Sequence, residues 1–310
     1  MKISTSLQFD RAMSRIGTLQ DNLATSQARI AASTRILSPS DAPEEAAAIQ
    51  RLRGAVERQD SQIGTLQIAL NHYAAEESAL SSASDLLIRF KELAIQAANH
   101  SQWGYDRKAI AVEMSALRDQ LVSLGNTRDD SGNYLFSGTR VGTPAFATGE
   151  DGAVVYQGDQ THTRIPAGVE RSVQYIRSGT DVFIPVERGA QAGEEGAVRV
   201  GFFDALDDLI TAVSTDSNEG MQRGIGELDQ MHAGIAMALV QTGADQSVVQ
   251  TQVEMLDETA LRLKSTLSDI EDLDYSEALI RMNKEMLALE AAMGSFAKVS
   301  GLSLFDYLRS

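Results

Sequence analysis

Cysteine is absent from all 310 residues, which excludes disulfides, thiolate metal sites and a cysteine nucleophile. Positive charge is scarce: 27 Lys and Arg stand against 43 Asp and Glu, for a net charge of −16. Phosphate backbones are held by basic stripes, and none occurs here, so nucleic acid is not an expected partner. No apolar run approaches the roughly 18 residues that a membrane-spanning helix needs, so membrane insertion is not expected. The first residues lack the apolar segment and small-residue cleavage site of a secretory signal. If the chain is exported, it is expected to travel uncleaved by another route. The four histidines, His72, His100, His162 and His232, share no metal-ligand spacing, and HExxH, GxSxG and phosphate-loop patterns are missing. No enzyme, cofactor or metal site is expected.

Aromatic residues are few, at 5%, while a hydrophobic content of 43% is ordinary. Ala, Leu and Ser dominate, which suits long helices rather than compact mixed domains. The strongest pattern lies in the last forty residues. Tyr275, Leu279, Met282, Met286, Leu289, Met293 and Phe296 follow one another at alternating steps of four and three. That spacing averages about 3.5 residues and lays all of them along one narrow, uncharged helical stripe. A lone helix cannot bury such a stripe. The N-terminus offers a partner, with Phe9, Met13, Ile16, Leu23 and Ile30 on the same grid and Gln20 and Gln27 filling two of its positions. Polar residues in a seam lower stability but fix register. Residues 1–37 carry five basic against two acidic side chains, and residues 271–310 carry four against seven. The opposite signs favour pairing of the two ends, although each exposed ion pair contributes little.

Between the ends, Leu37-Ser38-Pro39-Ser40-Asp41-Ala42-Pro43-Glu44 breaks the chain. Asp41 reads as the cap of the next helix, with Glu44 completing a capping box and Pro43 in the first turn. That helix is expected to run from Pro43 to about Asn99 on the grid Ile49, Leu52, Val56, Ile63, Leu66, Leu70, Tyr73, Leu80 and Leu87. Its stripe shifts near Ser84 to Leu86, Phe90, Leu93 and Ala97. Trp103-Gly104 marks a turn, and a third helix carries Ile110, Met114, Leu117, Leu121 and Leu124, with Gly125 as its cap. The period then changes. Asn133–Phe136 reads as a short strand, and alternating β-branched segments at 153–156, 161–165, 171–176 and 181–184 read as a small antiparallel β domain, removable without loss of the helical core. Gln191–Gly196 is its return linker. Helices resume at Phe202. A turn is expected at Thr242-Gly243-Ala244 and a last rod helix from Ser247, on Val249, Val253, Leu256, Ala260, Leu263, Leu267 and Ile270. This seam slips by one residue across Glu271–Asp274, which places a domain boundary there. The acidic run Asp269, Glu271, Asp272, Asp274 and Glu277 reads as a solvated face or hinge, because it lacks the spacing of a calcium loop.

The expected fold is mainly α. Paired N- and C-terminal coiled-coil helices (1–40 plus 271–310) join a long helical rod domain (41–140 plus 201–270), with a small antiparallel β insert domain at 141–200. Two classes of function fit this plan: a subunit that self-associates through its paired ends, and an adhesin-like secreted rod that presents the β insert to a ligand. Residues 153–184 hold no aromatic cluster or charged constellation, which favours the first.

Several stretches resemble the bacterial flagellin family. They are MKISTSLQFDRA at 1–12, SPSDAP at 38–43, ELAIQAAN at 92–99, LGNTRDDSGNYLFSG at 124–138, YQGD at 156–159, and the end from Ile270, IEDLDYSEAL through LEAAMGSFAKVSGLSLFDYL. The ending Leu302-Ser303-Leu304-Phe305-Asp306-Tyr307-Leu308 resembles the branch of the family at the junction of hook and filament rather than the filament flagellins. Ala42 and Gly125 depart from the family pattern at helix ends. The resemblance implies a flagellin-like fold and a structural subunit of the flagellum, secreted through a type III route, whose terminal helices form the inner core of a tubular helical assembly. Its implied partners are further copies of itself in a ring, a neighbouring hook-associated protein, flagellin, and an export chaperone at the C-terminal region. The terminal seams, with Leu304 and Phe305, are the implied assembly interface. A filament flagellin is the alternative within the family.

Overall fold

The computed structural model describes residues 2–99, 104–168, 171–189 and 198–308; at 2–6, 8, 104–105 and 299–308 it describes the backbone alone. The expectations for His100, Trp103 and the linker 191–196 fall outside the described residues. In order, the helices are α1 (Lys2–Ala32), α2 (Pro43–Ala98), α3 (Gly104–Gly125), a single turn α4 (Gly179–Val182), α5 (Phe202–Ser214), α6 (Asn218–Glu271) and α7 (Tyr275–Leu308). Three antiparallel strand pairs complete the fold: β1 (Phe146–Thr148) with β2 (Val154–Tyr156), β3 (Thr163–Pro166) with β4 (Ser172–Ile176), and β5 (Val186–Arg188) with β6 (Val198–Val200). The chain divides into two compact units, 1–61 with 257–310, and 62–256. Helices α2 and α6 contribute to both.

In the first unit α1 and α7 pack together. Helix α1 ends in a Schellman motif: Thr34 N–H reaches Arg29 carbonyl and Ser33 N–H reaches Ile30 carbonyl, both at 3.3 Å, with Ser33 in the left-handed region at φ 58°. This closure satisfies helix-end carbonyls that would otherwise lack partners. The Asp41 carboxylate accepts from the backbone N–H groups of Leu37 and Ser38, each at 3.2 Å, and from the Ser38 hydroxyl. It therefore ties down the Ser38–Pro39 turn behind it, instead of the capping of α2 that its spacing to Glu44 suggested.

The second unit holds the dense core. Leu80, Ala83, Leu87, Phe90, Leu93 and Ala97 of α2 pack with Met114 and Leu121 of α3, Phe202, Leu206 and Leu209 of α5, and Leu228, Met231 and Ile235 of α6. Phe136, Phe146, Val182, Phe183 and Val186 from the strand-bearing segment belong to this same core, and edge-to-face contacts join Phe146 and Phe183 to each other and to Phe203 and Phe202 respectively. The expectation that this segment could be removed without touching the helices does not fit such packing. Two-stranded sheets of three to five residues bury too little on their own and need a helical layer beneath them. Gly125 ends α3 without left-handed backbone; its missing side chain makes room for the Phe146 ring, which an added Cβ would meet at 2.7 Å.

Three local expectations are corrected. Asn133–Phe136 forms no strand, only isolated bridges from Arg128 to Tyr134 and from Ser137 to Ser178. The Asp129 carboxylate accepts from the N–H groups of Ser131 and Asn133, both at 2.9 Å, and curls the chain there. Residues 181–184 lie in and after α4, which Ser178 and Asp181 close with a reciprocal capping box, and the strand begins past Pro185. Finally, α6 runs unbroken through Thr242-Gly243-Ala244. Thr242 is fully buried, so the burial grid Leu228, Met231, Ile235, Ala238, Thr242 continues to Val249. One glycine costs a helix only about 1 kcal/mol, and packing on both sides outweighs it.

Candidate assembly interface

The terminal helices run antiparallel, with the rings of Phe9 and Phe296 at 4.7 Å and the hydroxyls of Ser33 and Tyr275 in contact. On the contact face of α1 Ser26 is buried and Ala12, Ile16, Leu19, Leu23 and Ile30 are partly buried, with Gly17 and Arg29 partly buried beside them; on α7 Ala278, Met282, Glu285, Leu289, Ala292 and Phe296 are partly buried. These sets keep the four–three spacing but occupy only half of the positions expected from the sequence. Ile16, Leu23, Ile30, Met282, Leu289 and Phe296 lie on the half-buried face. Phe9, Met13, Tyr275, Leu279, Met286 and Met293 are each more than two-fifths exposed, as are Ile280 and Leu287, which the sequence stripe left out. Gln20 and Gln27 are exposed. Leu304 and Phe305 lie in the last turns of α7, and their side chains are outside the described residues.

The helix has about 3.6 residues per turn, so a seven-residue grid drifts sideways along a straight helix. Small residues take the contact positions next to the exposed large ones: Ala12 beside Met13, Ala278 beside Leu279, Ala292 beside Met293. Small side chains let two helix backbones approach closely, while large ones one position along stand on the flank. The result is a helix pair with an apolar flank left open. Glu285 brings a carboxylate to the contact face, with Oε2 buried and lacking a hydrogen-bond partner, so the face is not the uncharged stripe that the large residues alone outlined.

The joint between α6 and α7 is stitched to the segment after α1. Arg35 N–H donates to Glu271 carbonyl at 2.9 Å, Leu273 N–H donates to Ser33 carbonyl at 3.3 Å, and the Arg35 guanidinium reaches Ile270 carbonyl at 2.9 Å and Glu45 at 2.5 Å. Asp274 caps α7, accepting from Ser276 N–H at 2.9 Å and Glu277 N–H at 3.1 Å. The acidic run is otherwise engaged by Arg53 at Glu271, Ser268 at Asp272 and Arg281 at Glu277. Among the described residues no group of three His, Asp or Glu suits a metal ion, and no helix is long and apolar enough to cross a membrane.

A pair of terminal helices, with a helical rod and a strand-bearing insert in the chain between them, defines a flagellin-type assembly subunit. The chain matches the bacterial flagellin N-terminal helical region over residues 3–141 and the bacterial flagellin C-terminal helical region over residues 225–308. Together these span well over half its length, and the chain belongs to the bacterial flagellin family. It is 27% identical over 317 residues to flagellar hook-associated protein 3 of Escherichia coli K12, covering 99% of each chain, and 25% identical over 321 residues to the protein of that name from Salmonella typhimurium LT2, covering both in full. Similarity to polar flagellin A of Vibrio parahaemolyticus is 22% and reaches 72% of this chain. Among solved structures, FlgL of Xanthomonas campestris superposes with a TM-score of 0.62 at 24% identity, over 71% of this chain and 99% of that one. Flagellar hook associated protein-3 of Legionella pneumophila gives 0.63 at 18%, over 72% and 98%. These structures share the fold.

Proposed function

We propose that this chain is a structural subunit of the bacterial flagellum that forms the junction between hook and filament and allows flagellin to assemble onto it. The observation that carries this reading is the apolar flank of the terminal helix pair: Met13, Leu279, Met286 and Met293 stand exposed beside the residues that hold α1 to α7. A helix with apolar residues on more than one face has more than one packing partner, and repetition of the subunit around a ring would supply the second. Full-length similarity to hook-associated protein 3 supports the junction over the filament. In this reading residues 1–40 and 271–310 form the inner core of the assembly, 41–140 and 201–270 the rod wall, and 141–200 faces outward. The neighbours are further copies of the chain, another hook-associated protein on the hook side and flagellin on the filament side. An export chaperone holds the C-terminal region beforehand, and the chain leaves the cell uncleaved through the flagellar type III apparatus.

Met286→Asp tests the interface. Met286 is 43% exposed in the single chain, so its replacement is expected to leave monomer melting unchanged. In the assembly the carboxylate would be buried without a partner, at a cost of about 3–5 kcal/mol, which lowers association roughly a few hundred-fold or more. Asn283→Asp adds the same charge at another exposed position of α7 and is the control. Export is expected in both variants; motility is expected to fail only for Met286→Asp, with flagellin released unpolymerised into the medium. Equal behaviour of the two variants would remove the terminal flank as an assembly surface.

A further inference from the structure

Helix α2 presents Tyr73, Glu76, Leu80 and Ala83 along one buried grid, and Glu76 takes the position where an apolar residue belongs. Its side chain is 1% exposed. Oε1 lies 2.9 Å from Arg177 Nε, in ionic contact without hydrogen-bond alignment, and accepts the Thr242 hydroxyl at 2.9 Å, whereas Oε2 is buried with no hydrogen-bond partner. Arg177, just past β4, is also 5% exposed and donates to Asp245 of α6 at 2.5 Å and to Gln241 at 3.3 Å. One guanidinium thus serves two carboxylates from two helices. The other titratable groups nearby add no positive charge. Tyr73 donates to the Gln174 carbonyl, and burial pushes its phenol up. Tyr175 of β4 is shifted the same way, chiefly by burial. The His72 ring of α2 lies tilted against Tyr175 with Asp129 4.0 Å away, and burial lowers its pKa.

We propose that Glu76 is held as the neutral acid, so that the Glu76–Arg177–Asp245 cluster is a proton-tightened clasp fixing the end of β4 to α2 and α6. With Glu76 ionised, the cluster carries one uncompensated negative charge, and of its two carboxylates Glu76 is the sealed one while Asp245 is 24% exposed; with Glu76 protonated, Arg177 and Asp245 balance. An unpaired buried charge is far more costly than an unpaired buried hydroxyl. Burial accordingly raises the Glu76 carboxyl from 4.5 to about 7, against the opposing pull of Arg177 and Thr242. A carboxyl with a raised folded-state pKa binds its proton more tightly folded than unfolded, so its contribution to stability is full below about 4.5 and is lost as pH rises through about 7. The strand-bearing segment is therefore held more firmly in mild acid than in alkali.

Glu76→Gln imitates the protonated side chain at every pH. In the full chain the variant is expected to melt near the wild-type temperature at pH 5 and about 5 °C higher at pH 8.5, with slower hydrogen exchange than wild type at Tyr175–Ser178 at the higher pH. A variant that melts at or below wild type at pH 8.5 overturns the proposal, because Glu76 would then act as the charged partner of Arg177. A direct reading does not depend on the variant's stability. In wild-type chain labelled with 13C at the glutamate side chains, one carboxyl is expected to titrate near pH 7 and to lose that midpoint in Asp245→Asn, where Arg177 is free to pair with Glu76. Titration of every glutamate near 4.5 overturns it.

Discussion

The two units share two long helices and differ in what closes around them. In residues 62–256, α2 and α6 are covered by α3, α5 and the strand pairs, and Leu80, Phe90, Met114, Phe136 and Leu206 are sealed from solvent. In residues 1–61 with 257–310, the buried residues among those described are few: Ser26, Ile49, Val56 and Ala260. Hydrophobic stabilisation scales with area removed from water, and two helices side by side can shield only one stripe each. The second unit therefore carries most of the stability of the free chain, and the first leaves an apolar flank exposed.

The sharpest way to break this contrast is to cut matching holes in both units. Phe90→Ala is expected to destabilise by about 3–5 kcal/mol, while Leu289→Ala on the terminal pair is expected to cost the free chain about 1 kcal/mol, because Leu289 is only partly buried. Urea unfolding of both variants measures the difference, and equal losses would erase the distinction. Charge gives the next comparison. Arg177→Ala strands Asp245 in the second unit and is expected to cost about 3 kcal/mol, whereas Arg53→Ala removes a 47% exposed partner of Glu271 and is expected to cost under about 1 kcal/mol. Melting at low and high salt checks this, since only the exposed pair should be screened. The smallest effect concerns Ser33. Glycine there would relieve the left-handed backbone but lose the hydroxyl contact to Tyr275, so Ser33→Gly is expected to stay within about 0.5 kcal/mol of wild type. Ser33→Ala keeps the strain and loses the contact, and is expected to fall about 1 kcal/mol lower, as read from thermal melting.

The long helices were legible because their apolar periods are long and their ends carry prolines and caps. The helix break at Glu271–Asp274 was legible too, since a seam that slips by one residue cannot continue facing one partner, although the compact unit that includes α7 starts at Asp257 and not at the break. What escaped was polar residues in apolar places. Glu76 and Thr242 each fill a core position, and reading only apolar residues left a gap in α2 and a false turn in α6. The four–three grid continues through Thr242, which is the signal that would have found it, whereas Leu70, Tyr73 and Glu76 follow at steps of three and three, so the alternation points to the exposed Glu77 instead. At the terminal pair the large residues drew attention to Met13, Met286 and Met293, while Ala12, Ala278 and Ala292 make the close approach. The paired face mixes Ala12, Ala278 and Ala292 with Ile16, Leu23, Met282, Leu289 and Phe296, so side-chain size alone does not identify it. The strands were placed only roughly, because a capping box at Ser178 and an Asp129 turn competed with extended backbone and won.

The antiparallel run of α2 against α6 also sets an order of events in time. Along it, partners grow steadily more distant in sequence: Ser84 with His232 at 148 residues, Glu76 with Thr242 at 166, Lys264 with Asp60 at 204 and Arg53 with Glu271 at 218; beyond its end, where α1 meets α7, Ser33 pairs with Tyr275 at 242. Closing an open loop of that last length costs roughly 5 kcal/mol of chain entropy, whereas lengthening a loop already closed at 218 adds only about 0.1 kcal/mol. The chain is therefore expected to zip from its middle outward, with its two ends meeting last. The first segment to be synthesised waits for the final one, and until then both remain free to be carried, threaded and delivered.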